Sequence, residues 1–122
     1  MADVLALVDD LFFQAKMLET ARQVGVTLQT VSSGETLVAA ATFTPGAADS
    51  PRLVLVDLNA RSGPLQALER LHAEGNLVPV IAFLSHVQTE LAERARAAGC
   101  QQVLPRSKFT AELAAILRQA KT

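Results

Sequence analysis

Apolar positions fall into two kinds of stretch along the chain. Short strand-like stretches occur at Val4 to Val8, Val26 to Val31, Leu53 to Val56, Val78 to Phe83 and Gln101 to Leu104, unbrokenly apolar at Val4 to Val8 and Leu53 to Val56. Runs of this length suit strands buried on both faces of a parallel sheet. Between them, apolar residues recur at spacings of three and four, as on one face of a helix. Leu11, Ala15, Leu18, Ala21 and Val24 predict a first helix, stopped by Gly25. Ser32 and Glu35 are three apart and predict a capping box for a short second helix through Ala41. Leu65, Leu68 and Leu71 mark a third helix, closed near Gly75. Ser85 opens a fourth, with Val87, Leu91, Ala95 and Ala98 on one face and Gly99 at its end. Phe109, Leu113, Ile116 and Leu117 give a fifth. Thr44 to Pro51 is a loop by its Pro, Gly and Ser content.

Five strands thus alternate with five helices, with no repeat and no linker. Helical crossovers force parallel pairing, and each crossover should be right-handed. The expected architecture is an α/β, flavodoxin-like (βα)5 doubly wound sheet with strand order 2-1-3-4-5. A chain of 122 residues makes one domain, 1–122, with enough material for a core.

Composition excludes several functions. Half the residues are hydrophobic, which argues against disorder. Eleven Lys and Arg against 12 Asp and Glu give a net charge of -1, so neither nucleic acid nor a membrane surface is an expected partner. With no Trp or Tyr and only five Phe, base-stacking platforms are scarce. The single cysteine, Cys100, allows no internal disulfide, and a reducing, cytoplasmic setting is expected. Its expected role is core packing. No signal peptide or membrane-length apolar run is seen.

The chemistry lies at strand ends. The first strand runs into Asp9 and Asp10, and the third ends on Asp57. In the order 2-1-3-4-5 those strands are neighbours, so the three carboxylates converge at the carboxyl edge, where open α/β sheets bind ligands. Two unit charges at about 4 Å repel by roughly 4 kcal/mol at an effective dielectric near 20. Such a cluster raises a pKa or takes up a cation. With only oxygen ligands on offer, weakly bound Mg²⁺ is the expected ion rather than zinc. A carboxylate beside Mg²⁺ can also attack phosphorus. The plainer alternative is that Asp10 caps the first helix while Asp9 is solvated.

Leu7-Val8-Asp9-Asp10, Leu55-Val56-Asp57, Pro79-Val80-Ile81, Ala97-Ala98-Gly99 and Leu104-Pro105-Arg106 together resemble the receiver domain of bacterial response regulators, over the whole chain. The resemblance implies that Asp57 accepts phosphate from a histidine kinase. It implies that Asp9 and Asp10 bind Mg²⁺ with Asp57, and that Asn59 lends a backbone carbonyl.

The chain departs from that family where the signal is relayed. Leu58-Asn59-Ala60-Arg61-Ser62-Gly63 lacks the usual Met-Pro pair. The Thr or Ser that ends the fourth strand falls on Leu84, with Ser85 one residue late; a helix N-cap, with Gln88 three residues on, also explains Ser85. The aromatic that swings inward on activation corresponds to Val103. The family's Lys corresponds to Arg106, a planar fork rather than a point charge. The Pro that follows it in the family is Ser107, and this chain carries Pro105 instead. The acceptor and metal half of the site is kept, and the phosphate and switch half is altered.

Three functions follow as expectations. The first is a stand-alone receiver in a two-component phosphorelay, switching a downstream protein. The second is a phosphorylation-independent pseudo-receiver acting as an interaction module. The third is an Mg²⁺-dependent phosphohydrolase, the weakest because Asn59 cannot act as the acid. With no output domain after the last helix, any output acts through a partner or a homodimer formed by the last two helices and fifth strand. His72 and His86 are expected on the surface, Arg94 and Arg96 on a solvated face, and at least one of Phe12 and Phe13 in the core.

Overall fold

The computed structural model describes residues 3–41, 51–76, 78–85 and 88–121. The order of elements is β1 (Val4–Leu7), α1 (Leu11–Val24), β2 (Leu28–Val31), α2 (Gly34–Ala41), β3 (Leu53–Asp57), α3 (Pro64–Ala73), β4 (Val80–Leu84), α4 (Thr89–Ala97), β5 (Gln102–Pro105), α5 (Arg106–Ala111) and α6 (Leu113–Arg118). The five strands form one parallel sheet in the order β2-β1-β3-β4-β5. The expected fold class and strand order are those observed.

Both faces of the sheet are covered, which is why the inner strands β1, β3 and β4 read as apolar runs, while the edge strands β2 and β5 carry polar residues. On one face Leu5, Leu7, Val54, Val56, Ala82 and Leu84 pack with residues of α2, α3 and α4. On the other, Val4, Ala6, Leu55, Ile81 and Phe83 meet α1, α5 and α6. Asp57 alternates with Leu53 and Leu55, so its carboxylate belongs to this second face. Cys100 is buried in the first core, as expected, and burial pushes its thiol up to about 11.

Several local expectations are corrected. Helix α1 presents a different stripe: Phe13, Met17, Ala21 and Val24 are buried, while Leu11 is 76% and Leu18 42% exposed. Phe13 is the phenylalanine in the core, and Phe12 lies 92% exposed. The second helix is capped by Ser33, not Ser32: the Ser33 Oγ accepts the Thr36 N–H at 3.1 Å. Ser85 is not at the N-cap position of α4, which starts at Thr89 with Gln88 in that place. The last helix is two segments, α5 and α6, broken at Glu112 (φ -102°, ψ 6°). The described part of the chain therefore has six helices rather than five.

Gly25 closes α1 at φ 92°, as its position predicts. His72, Arg94 and Arg96 are exposed as expected, and Arg94 reaches Glu69 at 3.5 Å. His86, Val87 and most of the Thr44–Pro51 loop lie outside the described residues. No described helix is long and apolar enough to cross a membrane.

Candidate functional site

Asp57 is the final residue of β3 and pairs in register with Phe83 of β4. It is 3% exposed, and it is the one polar or charged side chain in the core among the described residues. Its Oδ1 accepts the Asn59 N–H at 2.9 Å, and its Oδ2 accepts Arg106 Nη2 at 3.2 Å. Burial pushes its pKa above the ordinary carboxylate value, and the nearby charge of Asp9 adds to this. The Asn59 N–H and Arg106 pull the other way without cancelling the effect.

Asp10 lies after β1 and caps α1. Its Oδ1 accepts the N–H groups of Phe12 (3.0 Å) and Phe13 (3.2 Å). The plain capping role is thus real, and it leaves the second oxygen for another task. That Oδ2 lies 3.6 Å from Arg106 Nη1. Asp9 Oδ2 accepts the Arg61 N–H at 2.8 Å, tying the acid pair to the segment after β3.

Arg106 opens α5 and joins the two sides. One nitrogen of its fork meets Asp57 and another faces Asp10. Its Cζ lies 4.7 Å from the Phe13 ring centroid and 5.8 Å from that of Phe83. Phe13, Phe83 and Phe109 form one aromatic cluster, with Phe83 and Phe109 stacked at 4.2 Å. A lysine has no plane with which to stack in this way.

Asn59 and Ser85 form a second group. Asn59 Oδ1 accepts both the backbone N–H (2.6 Å) and the hydroxyl (3.0 Å) of Ser85. Asn59 Nδ2 donates to Gln88 Oε1 at 2.8 Å. Ser85 is therefore tied to Asn59. Leu84, at the end of β4, is buried in the opposite core. With Val103, Gln88 and Pro105 it lines an apolar cavity of about 200 Å³. Val103 is half-buried beside that cavity.

The metal implied by the resemblance fits this arrangement poorly. Among the described residues, no group of three or more His, Cys, Asp and Glu is placed to hold an ion. Asp9 is turned to Arg61, Asp10 to the helix N-terminus, and the guanidinium fills the space between Asp10 and Asp57.

Sequence reading missed the Phe13–Phe83–Arg106 cluster, the Arg61 contact and the Asn59–Gln88 bond. The signal for the first was present in the Phe that follows the acid pair. The other two depend on loop geometry.

No family model matches the chain, and no curated protein matches it. Solved structures do. The Vibrio cholerae chemotaxis protein CheY4 superposes with TM-score 0.78 at 17% identity, covering 98% of both chains. The receiver domain of NtrX from Brucella abortus gives 0.77 at 20% identity, covering 97% of both. The phosphorylated cyanobacterial phytochrome response regulator RcpA gives 0.77 at 17%, covering 96% of this chain and 89% of that one. The fold is that of response-regulator receiver domains.

Proposed function

We propose that the chain is a receiver-type signalling domain of a two-component phosphorelay, with Asp57 as its phosphate acceptor. One observation carries this reading. In a core otherwise apolar among the described residues, the buried carboxylate sits at the carboxyl end of the central strand, beside two more acids and an arginine. Burying such a group is costly even when it is paired and hydrogen-bonded, and groups perturbed in this way cluster at functional sites. In the proposed step an Asp57 oxygen attacks the phosphorus of a phosphohistidine on a kinase. The P–N bond breaks, the imidazole nitrogen keeps the electron pair, and an acyl phosphate forms. The Arg106 guanidinium is placed to balance the charge that arrives.

The test is incubation with a small phosphodonor, with and without Mg²⁺, followed by intact-mass measurement. The expected result is a gain of one phosphoryl group in the wild type and none in Asp57→Asn. No gain under any condition refutes the acceptor role.

The second reading is a phosphorylation-independent interaction module. The Asn59–Ser85 bonds and the apolar Leu84 favour it, because the hydroxyl that would grip a phosphoryl group is tied elsewhere. A phosphohydrolase is disfavoured, since Asn59 carries no acid and its amide is occupied. A cytoplasmic setting and a downstream protein partner follow from either leading reading. Self-association through α5, α6 and β5 is checked by sedimentation with and without the phosphodonor.

A further inference from the structure

We infer that Arg106 is the resident cation of the acid cluster and keeps divalent metal out of it. Asp9, Asp10 and Asp57 bring three carboxylates to one sheet edge, and such a cluster needs a positive partner. Among the described residues, the cation that reaches two of them is Arg106, through different nitrogens, at 3.6 Å from Asp10 and 3.2 Å from Asp57.

The guanidinium is fixed in place. Phe13 lies against it at 4.7 Å and Phe83 at 5.8 Å. Its Nε is buried and has no hydrogen-bond partner among the described residues. The side chain therefore gives its Nη groups to the acids and rests its plane on the aromatic cluster. Phe13 belongs to the helix that Asp10 caps, and Phe83 pairs with Asp57 in the sheet. The elements that deliver the two acids thus also deliver the two rings.

Mg²⁺ demands a near-octahedral shell at about 2.1 Å and usually keeps several waters. A hydrated ion between Asp10 and Asp57 would have to take the volume of the guanidinium and its stacking on Phe13. Metal and Arg106 therefore compete for one position. This inference concerns the unmodified acid cluster and stands whether or not Asp57 accepts phosphate.

The test is titration of Mg²⁺ and Mn²⁺ into the full chain, read by calorimetry and amide NMR. In the wild type, roughly 10 mM Mg²⁺ should give no saturable shift at Asp9, Asp10 or Asp57. Arg106→Gln removes the charge and should tighten Mg²⁺ binding by more than about tenfold. Arg106→Lys keeps a cation but loses the stacked plane, and should fall between the two. Wild-type binding equal to that of Arg106→Gln overturns the inference. If Arg106→Gln does not fold, the wild type still decides. Saturable Mg²⁺ shifts at the acids with the Arg106 Nε–H signal unmoved overturn it, and their absence supports it.

Discussion

Gly34→Ala tests how tightly the segment after Asp57 is held. Gly34 is the first residue of α2, and its N–H donates to the Ser62 carbonyl at 2.8 Å. A Cβ added there would lie 2.6 Å from the Gly63 carbonyl oxygen, 3.0 Å from that of Ser62 and 3.1 Å from Ala67 Cβ. The two tightest neighbours are backbone atoms, so no flexible side chain can swing away. The loop must retreat by most of an ångström, loosening the bond to Ser62. Overpacking costs about 1–3 kcal/mol. A weakened hydrogen bond adds about 0.5–1.5 kcal/mol. Replacing glycine in a helix returns at most about 1 kcal/mol. The expected net loss is about 1–3 kcal/mol, a fall in Tm of about 5–15 °C for a domain of this size. Circular dichroism melts and urea midpoints at constant m measure it. The same loop presents the Arg61 N–H to Asp9, so the Arg61 amide resonance should move as well. A variant as stable as the parent, or more so, would refute the packing argument.

Asp57→Asn should raise the urea midpoint at neutral pH. A carboxyl whose pKa is raised by folding contributes stability that is full below its unfolded value and lost as pH rises through the folded one, so ionised Asp57 is a net cost at pH 7. The advantage of the variant should shrink on acidification, and a less stable variant at pH 7 would mean that the Arg106 pair outweighs burial. Cys100, with its thiol pushed up to about 11, should react with a disulfide reagent far more slowly folded than in urea; equal rates would contradict its burial. Ser33→Ala should cost about 1 kcal/mol and Ser32→Ala much less, and thermal melts of the pair would expose a wrong cap assignment. Treatment with beryllofluoride should leave amide shifts at Val103 and along α5 nearly unchanged, because a half-buried valine has no bulky alternative rotamer; large shifts there would reveal a working switch.

Strand order and the meeting of the acids were legible because short strand-like stretches alternating with helical spacing allow few topologies. Helix faces were less so. In α1, Leu11-Ala15-Leu18 and Phe13-Met17 both continue to Ala21 and Val24 with helical spacing. The choice fell to Phe13 because its ring packs with Phe83 and Phe109 on the same face of the sheet, from elements distant in the chain. Ser85 satisfied a capping pattern yet lost to Asn59, which lies 26 residues away in the chain. Arg106 was readable as a counter-charge for Asp57. Its bridge to Asp10 was not, since it depends on how far a side chain at the end of β5 reaches past β4.

The sheet order also sets a timetable for folding. In the centre of the sheet Val4 pairs with Leu53, so about fifty residues must be closed into a loop before β1 gains its second neighbour. At synthesis rates of roughly 5–20 residues per second, β1 waits several seconds for β3. During that interval Val4, Leu5, Ala6 and Leu7, all buried in the finished sheet, have only β2 beside them. The strands from β3 to β5 are joined by shorter crossovers and can pair soon after they emerge. By this reasoning β1 with β2, and β3 with β4 and β5, can each pair early, and the β1–β3 pairing that brings the acid pair to Asp57 is expected to form last. A substitution that slows pairing of β3 with β4 should lower soluble yield more than it lowers the final melting temperature.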